Sequence, residues 1–244
     1  EQINKKNSLM KNFSNTYIFT FSAIMVITVA AILSIVAMQL QPMQKKNFER
    51  NKKQNILLSL NIESSKDNAI EKYDKYIVDS YVISHKGEKK EDVDAFYVNL
   101  AKELEKPVEK RNFPIFVGSV EDSKQYIIPV RGKGLWGPIW GYIALKDDYN
   151  TIYGTNFSHD SETPGLGAEI ANRPFQKQFI GKKIFDENGN FTSVKVIKGE
   201  APADAKHAVD GISGGTITSK GVDKMLDNVL GSYVPYFKQK RKNN

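Results

Sequence analysis

The residues best suited to chemistry lie in one short segment, 210–221, which reads Asp-Gly-Ile-Ser-Gly-Gly-Thr-Ile-Thr-Ser-Lys-Gly. Its glycines let the backbone approach a ligand closely, and its hydroxyl side chains favour a helix start. The apolar residues that follow have helical spacing and predict that helix: Val222, Met225, Leu226, Val229, Leu230 and Tyr233. Free N–H groups and the helix dipole favour phosphate at such an N-terminus, and Lys220 would add positive charge. The segment predicts an anion-binding loop, but an ordinary helix-capping glycine loop would have the same composition.

A second polar segment surrounds a Pro-Gly turn. Glu162 and Thr163 precede the turn, and Leu166 and Gly167 follow it. Hydroxyl and carboxylate groups beside exposed turn backbone can hold the polar edge of a ligand, and an ordinary capped turn has the same pattern. Both interpretations of this segment stay open at the level of residue types.

Aromatic and histidine residues give weaker signals. The glycine-rich segment 131–141 contains Trp136 and Trp140, whose rings could pack in the core or stack against an aromatic cofactor. The chain has 3 histidines, and they do not show the spacing of metal ligands. We therefore predict no metal site.

The elements that must position these residues can be read from periodicity. Short apolar runs separated by turn residues predict a sheet built from hairpins, with strands at 113–117, 125–130, 139–146 and 152–157. Further strands are predicted at 70–84 and 191–197, and helices at 91–106 and 174–180. The fold class is therefore α+β, with a largely antiparallel sheet and flanking helices.

The N-terminal region has a different composition from the rest of the 244-residue chain. Residues 12–44 contain no Asp, Glu, Lys or Arg. An apolar run of this length predicts a transmembrane helix, here residues 17–39, rather than a signal peptide or a buried core helix. Basic residues stand on both sides, and a long domain follows, so charge alone does not fix the orientation.

Composition excludes several classes of function. The net charge of +7 comes from interspersed residues of both signs, which indicates a solvated surface and no nucleic-acid partner. The chain has no cysteine, so disulfides, thiol catalysis and iron–sulfur ligation are excluded.

Taken together, the single apolar span, Glu-Thr-Pro-Gly-Leu-Gly at 162–167 and Asp-Gly-Ile-Ser-Gly-Gly-Thr at 210–216 resemble the FMN-binding subunits of bacterial respiratory sodium pumps. The family most similar is the C subunit of the Na⁺-translocating NADH:quinone oxidoreductase. The resemblance covers almost the whole chain and implies an FMN-binding domain. The related G subunit of the Rnf-type electron-transport complex, a ferredoxin:NAD system, is the alternative.

The resemblance implies a covalent cofactor. FMN would be joined by a phosphoester to Thr216, which is an attachment point and not a catalytic nucleophile. A separate flavin transferase, using FAD and Mg²⁺, would recognise Asp210, Ser213 and Gly214 around it. Gly215 stands where the family usually has alanine.

The remaining flavin contacts follow from the same resemblance and the two motifs. The candidates are Ser213, Gly214, Gly215, Thr218, Lys220, Glu162, Thr163, Leu166, Gly167 and Trp136. No NADH or quinone site is expected in this chain, so those tasks would belong to partner subunits.

The resemblance also implies a location and a domain order. Residues 1–16 would be a cytoplasmic tail, 17–39 the span, 40–62 a connecting amphipathic helix and 63–244 a periplasmic FMN-binding domain. The protein would be a single-pass subunit of the bacterial inner membrane, in contact with lipid. Its complex would couple NADH oxidation by quinone to Na⁺ export.

Overall fold

The computed structural model describes residues 14–242. The chain divides into two compact units, Glu1–Glu49 and Arg50–Asn244. Residues 1–13 of the predicted tail lie outside the described residues.

The described part of the N-terminal unit belongs to a long helix. Helix α1, Asn15–Ser59, has 45 residues and continues through Pro42. The side chains of residues 14–48 are all exposed, although most of them are apolar. Within the described part of the chain, α1 is the one helix long and apolar enough to cross a membrane. The predicted span and most of the predicted connecting segment are therefore one uninterrupted helix.

The second unit begins within α1 and combines a sheet with short helices and one long C-terminal helix. Its elements in chain order are α2 Ala69–Tyr76, β1 Ile77–Ile83, β2 Lys89–Lys90, α3 Leu100–Leu104, β3 Phe113–Val120, β4 Ser123–Lys133, β5 Pro138–Leu145, β6 Ile152–His159, α4 Arg173–Lys177, β7 Lys195–Ile197, β8 Ala208–Asp210 and α5 Thr216–Lys242. Single 3₁₀ turns lie at Ala95–Tyr97, Val108–Lys110 and Gly167–Ala171.

Six strands form one antiparallel sheet in the order β2-β1-β3-β4-β5-β6. At one end of the sheet, Lys133 pairs with Pro138 across the β4–β5 hairpin. Ile139 pairs with His159 at the end of β6. This register places the β4–β5 loop beside the segment that leaves β6, which carries the second predicted motif.

Each face of the sheet packs against a helix. On one face, Ile128 and Val130 of β4 share a core with Val222 and Leu226 of α5. On the other face, Ile127 contributes to a second core with Ile56, Leu60 and Phe116. The alternation of neighbouring β4 residues between the two cores follows from the two-residue period of a strand. The predicted α+β class and the largely antiparallel sheet are confirmed, and the small sheet of β7 and β8 is parallel.

Some predicted elements were wrong in type or length. The predicted helix 91–106 is only a 3₁₀ turn and the five-residue α3, because Asp94 and Asn99 accept backbone N–H groups and start new turns. The predicted strand 70–84 is helical until Tyr76.

The predicted strand 191–197 forms a strand only over Lys195–Ile197, and Phe191 makes a single isolated bridge to Phe185. Ser193 has a φ of 57°, and the N–H groups of Thr192 and Ser193 both donate to the Ile184 carbonyl instead of to a strand partner. The predicted helix 174–180 is observed as Arg173–Lys177.

Candidate functional site

The predicted anion-binding loop connects β8 to α5, and Thr216 is the first residue of the helix. The Gly215 N–H donates to the Ile212 carbonyl at 3.0 Å, and the Gly215 carbonyl accepts from the Ser219 N–H at 2.9 Å. The Ser219 hydroxyl in turn accepts from the Ile212 N–H at 3.0 Å. These bonds fasten the loop to the first turn of α5, so the position of Thr216 is well defined.

A positive φ favours glycine at position 214, where this loop meets the second motif. Gly214 has a φ of 71°, and a Cβ there would lie 2.5 Å from Leu166 Cδ2. A Cβ on Gly215 would lie 3.2 Å from the backbone of Leu166. The two motifs, far apart in sequence, are therefore in direct contact at the N-terminus of α5.

The two threonines of the loop have different environments. Thr218 is 1% exposed, and its hydroxyl donates to Glu162 Oε2. Thr216 is half-buried, and its hydroxyl makes no hydrogen bond within residues 14–242. Of the two hydroxyls, that of Thr216 is the more exposed and the one without a hydrogen-bond partner in the described part of the chain.

The start of α5 is suited to a negative charge. The first backbone N–H groups of a helix have no acceptor within it, and the dipole adds partial positive charge there. Lys220 is exposed and follows Thr216 by four residues, so both lie on the same side of the helix. Ser213 and Ile217 are also exposed beside Thr216.

Large apolar side chains are exposed around the same helix end. Leu166 is 42% exposed, Ile217 is 56% exposed and Trp136 is 67% exposed. Trp136 lies in the β4–β5 loop and thus has no core packing role. Trp140 is half-buried, with the Arg131 guanidinium 6.0 Å from its ring centre. Exposed apolar surface beside an anion-attracting helix end fits a ligand with a phosphate and an aromatic ring system.

The β4–β5 loop also contains a misleading pattern. Gly132, Gly134 and Gly137 have the spacing of a dinucleotide-binding turn. They lie in an antiparallel hairpin, whereas that turn joins a strand to a helix. The pattern therefore does not indicate a dinucleotide site here.

Glu162 lies beneath this surface, and Thr163 lies on it. Glu162 is 4% exposed, and its Oε1 accepts from the Trp136 N–H at 2.9 Å. Burial raises the pKa of Glu162, but hydrogen bonds from the Thr218 hydroxyl and from backbone N–H groups of the β4–β5 loop outweigh it, so the pKa is lowered. Thr163 is exposed, and its carbonyl accepts from the N–H groups of Leu166 and Ala168.

Asp210 and its surroundings were only partly anticipated. The carboxylate of Asp210 accepts from the Ala201 N–H at 2.7 Å. The backbone N–H of Asp210 donates to Gln178 Oε1 at 2.9 Å. Asp210, Gln178 and Arg173 line an open cleft of about 500 Å³ that reaches Ile212. Sequence reasoning did not find Gln178 or Arg173, because neither lies in a motif. No group of three or more potential metal ligands occurs among the described residues.

Comparison with known proteins first shows which class of domain the chain contains. Residues 134–231 match the family model described as FMN-binding domain. The match begins in the β4–β5 loop and ends within α5, so it includes both motifs of the site. The chain contains an FMN-binding domain.

Relatives then give the family. The chain is 34% identical over 241 residues to the C subunit of the Na⁺-translocating NADH-quinone reductase of Haemophilus ducreyi, covering 87% of this chain and 93% of the relative. The same subunit of Vibrio parahaemolyticus is 34% identical over 221 residues, covering 82% of this chain and 84% of the relative. A crystal structure of this subunit from Parabacteroides distasonis is 46% identical, with a TM-score of 0.76 over 81% of this chain and 96% of that one.

This chain therefore belongs to the family formed by the C subunit of the Na⁺-translocating NADH-quinone reductase. The resemblance found in the sequence is confirmed.

Proposed function

We propose that this chain carries FMN on Thr216 through a phosphoester bond and transfers electrons within a membrane NADH:quinone oxidoreductase. The observation that carries the proposal is the free, half-buried Thr216 hydroxyl at the start of a 27-residue helix. When bound, FMN supplies the reversible gain and loss of electrons, which the side chains of this chain cannot provide. A covalent bond suits a carrier that is reduced and reoxidised repeatedly, because the cofactor cannot dissociate.

Attachment is a phosphoryl transfer performed by a separate flavin transferase with FAD and Mg²⁺. The Thr216 oxygen forms a bond to the phosphorus of the FMN half of FAD. The diphosphate bond breaks, AMP leaves and the hydroxyl proton is lost. The product is a phosphodiester with one negative charge, which the N-terminus of α5 stabilises by about 0.3–1 kcal/mol.

The neighbouring residues have separate tasks in this proposal. Leu166 and Trp136 supply apolar surface for the ring system, and Thr163 supplies polar groups at its edge. The loop residues Ser213, Gly214 and Gly215, with Asp210 behind them, give the transferase its recognition surface. The contact between Gly214 and Leu166 supports this division, because it brings the phosphate end and the apolar end of the site together.

The proposed setting is a single-pass subunit of the bacterial inner membrane. Residues 17–39 span the bilayer, and residues 63–244 lie in the periplasm. Partner subunits bind NADH and quinone and export Na⁺. The exposed apolar length of α1 supports the span, since such a surface is otherwise unfavourable in water.

The test is the mass of the full chain made with and without the transferase. The wild-type chain should gain the mass of FMN less one water, and the flavin fluorescence should survive denaturation. Thr216→Ala should stay unmodified, whereas Thr216→Ser, which keeps a hydroxyl, should still be modified. Covalent flavin on the Thr216→Ala variant, or on a peptide at Thr218 of the wild type, would disprove the site.

A further inference from the structure

Three segments meet at the carboxylate of Glu162. Oε1 accepts from the Trp136 N–H in the β4–β5 loop at 2.9 Å. Oε2 accepts from the Thr218 hydroxyl in the first turn of α5. One side chain thus ties the β4–β5 loop and the helix that starts at Thr216 to the Pro-Gly turn.

The packing around this carboxylate leaves no room for a ligand. A Cβ on Gly134 would lie 2.5 Å from Glu162 Oε1, and a Cβ on Gly167 would lie 2.4 Å from Glu162 Oε2 and 2.4 Å from Thr218 Oγ1. Both oxygens are therefore enclosed by protein. This arrangement therefore disfavours the direct contact between Glu162 and the flavin that the resemblance implies.

The same packing continues into α5. A Cβ on Gly221 would lie 2.4 Å from the Lys133 carbonyl oxygen, so the helix touches the backbone of β4 one turn after Thr216. Helix and hairpin are in contact both at the carboxylate and at this point. These two contacts fix the orientation of the first turn of α5 as well as its distance from the sheet.

The negative charge of the Glu162 carboxylate suits its position near the N-terminus of α5. The Trp136 N–H and the Thr218 hydroxyl donate to it, and an anion near a helix N-terminus is favourable. An uncharged or shorter side chain would leave buried N–H groups or the Thr218 hydroxyl without a full partner, which costs about 1–3 kcal/mol for each group.

We propose that Glu162 is a positioning residue, which through Thr218 holds the first turn of α5 and the Thr216 hydroxyl in the orientation that the flavin transferase requires. The proposal rests on Thr216 being the residue that carries the flavin. Thr218 belongs to the same helical turn as Thr216, so a loss of its anchor moves the reacting oxygen. Rates of group transfer fall steeply when a reacting atom is displaced by about 1 Å.

The experiment uses the full chain in detergent as the substrate of the purified transferase with FAD and Mg²⁺. Thr218→Val removes the hydroxyl while keeping the shape, and Thr218→Ser keeps the hydroxyl. The matched control is Thr155→Val, because Thr155 is equally buried and donates one hydrogen bond to the Gln176 carbonyl, at 3.1 Å, in another part of the fold. Flavin incorporation is followed by intact mass, and unfolding temperatures of the unmodified chains are recorded alongside.

Thr218→Val should lower kcat for incorporation about tenfold or more with the KM for the chain unchanged. Thr218→Ser should restore kcat, and Thr155→Val should lower the unfolding temperature without lowering kcat. Glu162→Gln, which keeps the shape but not the charge, should also lower kcat.

Equal kcat values for Thr218→Val and Thr155→Val, or a loss confined to KM, would overturn the positioning role. This failure is distinct from failure of the proposed function. If Thr216→Ala stays unmodified while Thr218→Val and Glu162→Gln react at the wild-type rate, the attachment site stands and only the positioning role is wrong.

Discussion

At the scale of single residues, the proposed function depends on the difference between two hydroxyls two positions apart. Thr218 is enclosed and bonded to Glu162, while Thr216 is open and without a bonded partner in the described residues. Their chemistry is identical in water, so only their surroundings distinguish them. In the proposed function, attachment is selective for Thr216 because the Thr218 hydroxyl already donates to Glu162.

Lys220 provides a test at this scale. Because it lies one helical turn after Thr216, Lys220→Ala should weaken the stabilisation of the phosphodiester by about 0.3–1 kcal/mol at low ionic strength. We expect flavin incorporation to slow about two- to fivefold, the rate equivalent of that energy, with the difference reduced at high salt. The measurement is the initial rate of incorporation at two salt concentrations.

The control for this prediction is Lys224→Ala. Lys224 is exposed on the same helix but lies a further turn away, where the helix-end field has decayed. Equal rates for the two variants would show that charge at position 220 has no particular role.

At the scale of elements, α5 combines two tasks. Its first turn presents Thr216, and its apolar stripe anchors it to β4. A helix that carried the proposed attachment residue without this stripe would fray at its N-terminus, because isolated helices are only marginally stable in water. The core of the domain is therefore also the support of the site.

Leu226 tests that link. It is fully buried between α5 and the sheet, and Leu226→Ala should lower the free energy of unfolding by about 2–5 kcal/mol through lost burial and a cavity. The measurement is denaturant unfolding of the unmodified chain. The exposed Lys224→Ala change should have an effect below about 0.5 kcal/mol, and a comparable loss in both variants would contradict this account of the core.

At the scale of the whole molecule, the chain joins an apolar helix to a folded domain. The exposed side chains of residues 14–48 contrast with the packed cores of the unit Arg50–Asn244. The two cores of the domain lie on the two faces of the sheet, one against α5 and the other against the end of α1. The apolar helix requires another environment, for which a lipid bilayer is our proposal.

The orientation in the membrane can be tested cleanly because the chain has no cysteine. Lys124 is exposed on β4, so Lys124→Cys should react with a membrane-impermeant maleimide in intact cells if the domain is periplasmic. A cysteine at the buried Leu226 is the matched unreactive position. Labelling of Lys124→Cys only after the cells are broken would place the domain in the cytoplasm.

The sequence alone determined the features that depend on local pattern. The uncharged apolar run, the hairpin strands from Phe113 to His159 and the final helix follow from periodicity, which is set by residues adjacent in the chain. The position of Thr216 at the helix start follows from the same local rules.

Only the tertiary structure decided the features that depend on distant partners. Glu162 is 26 residues from Trp136 and 56 residues from Thr218 in the chain, so no local pattern shows that its carboxylate joins them. The cleft at Arg173 and Gln178 was likewise found only in the fold. The physical reason is that burial and hydrogen-bond partners are properties of packed segments, and packing brings together residues whose order in the chain does not relate them.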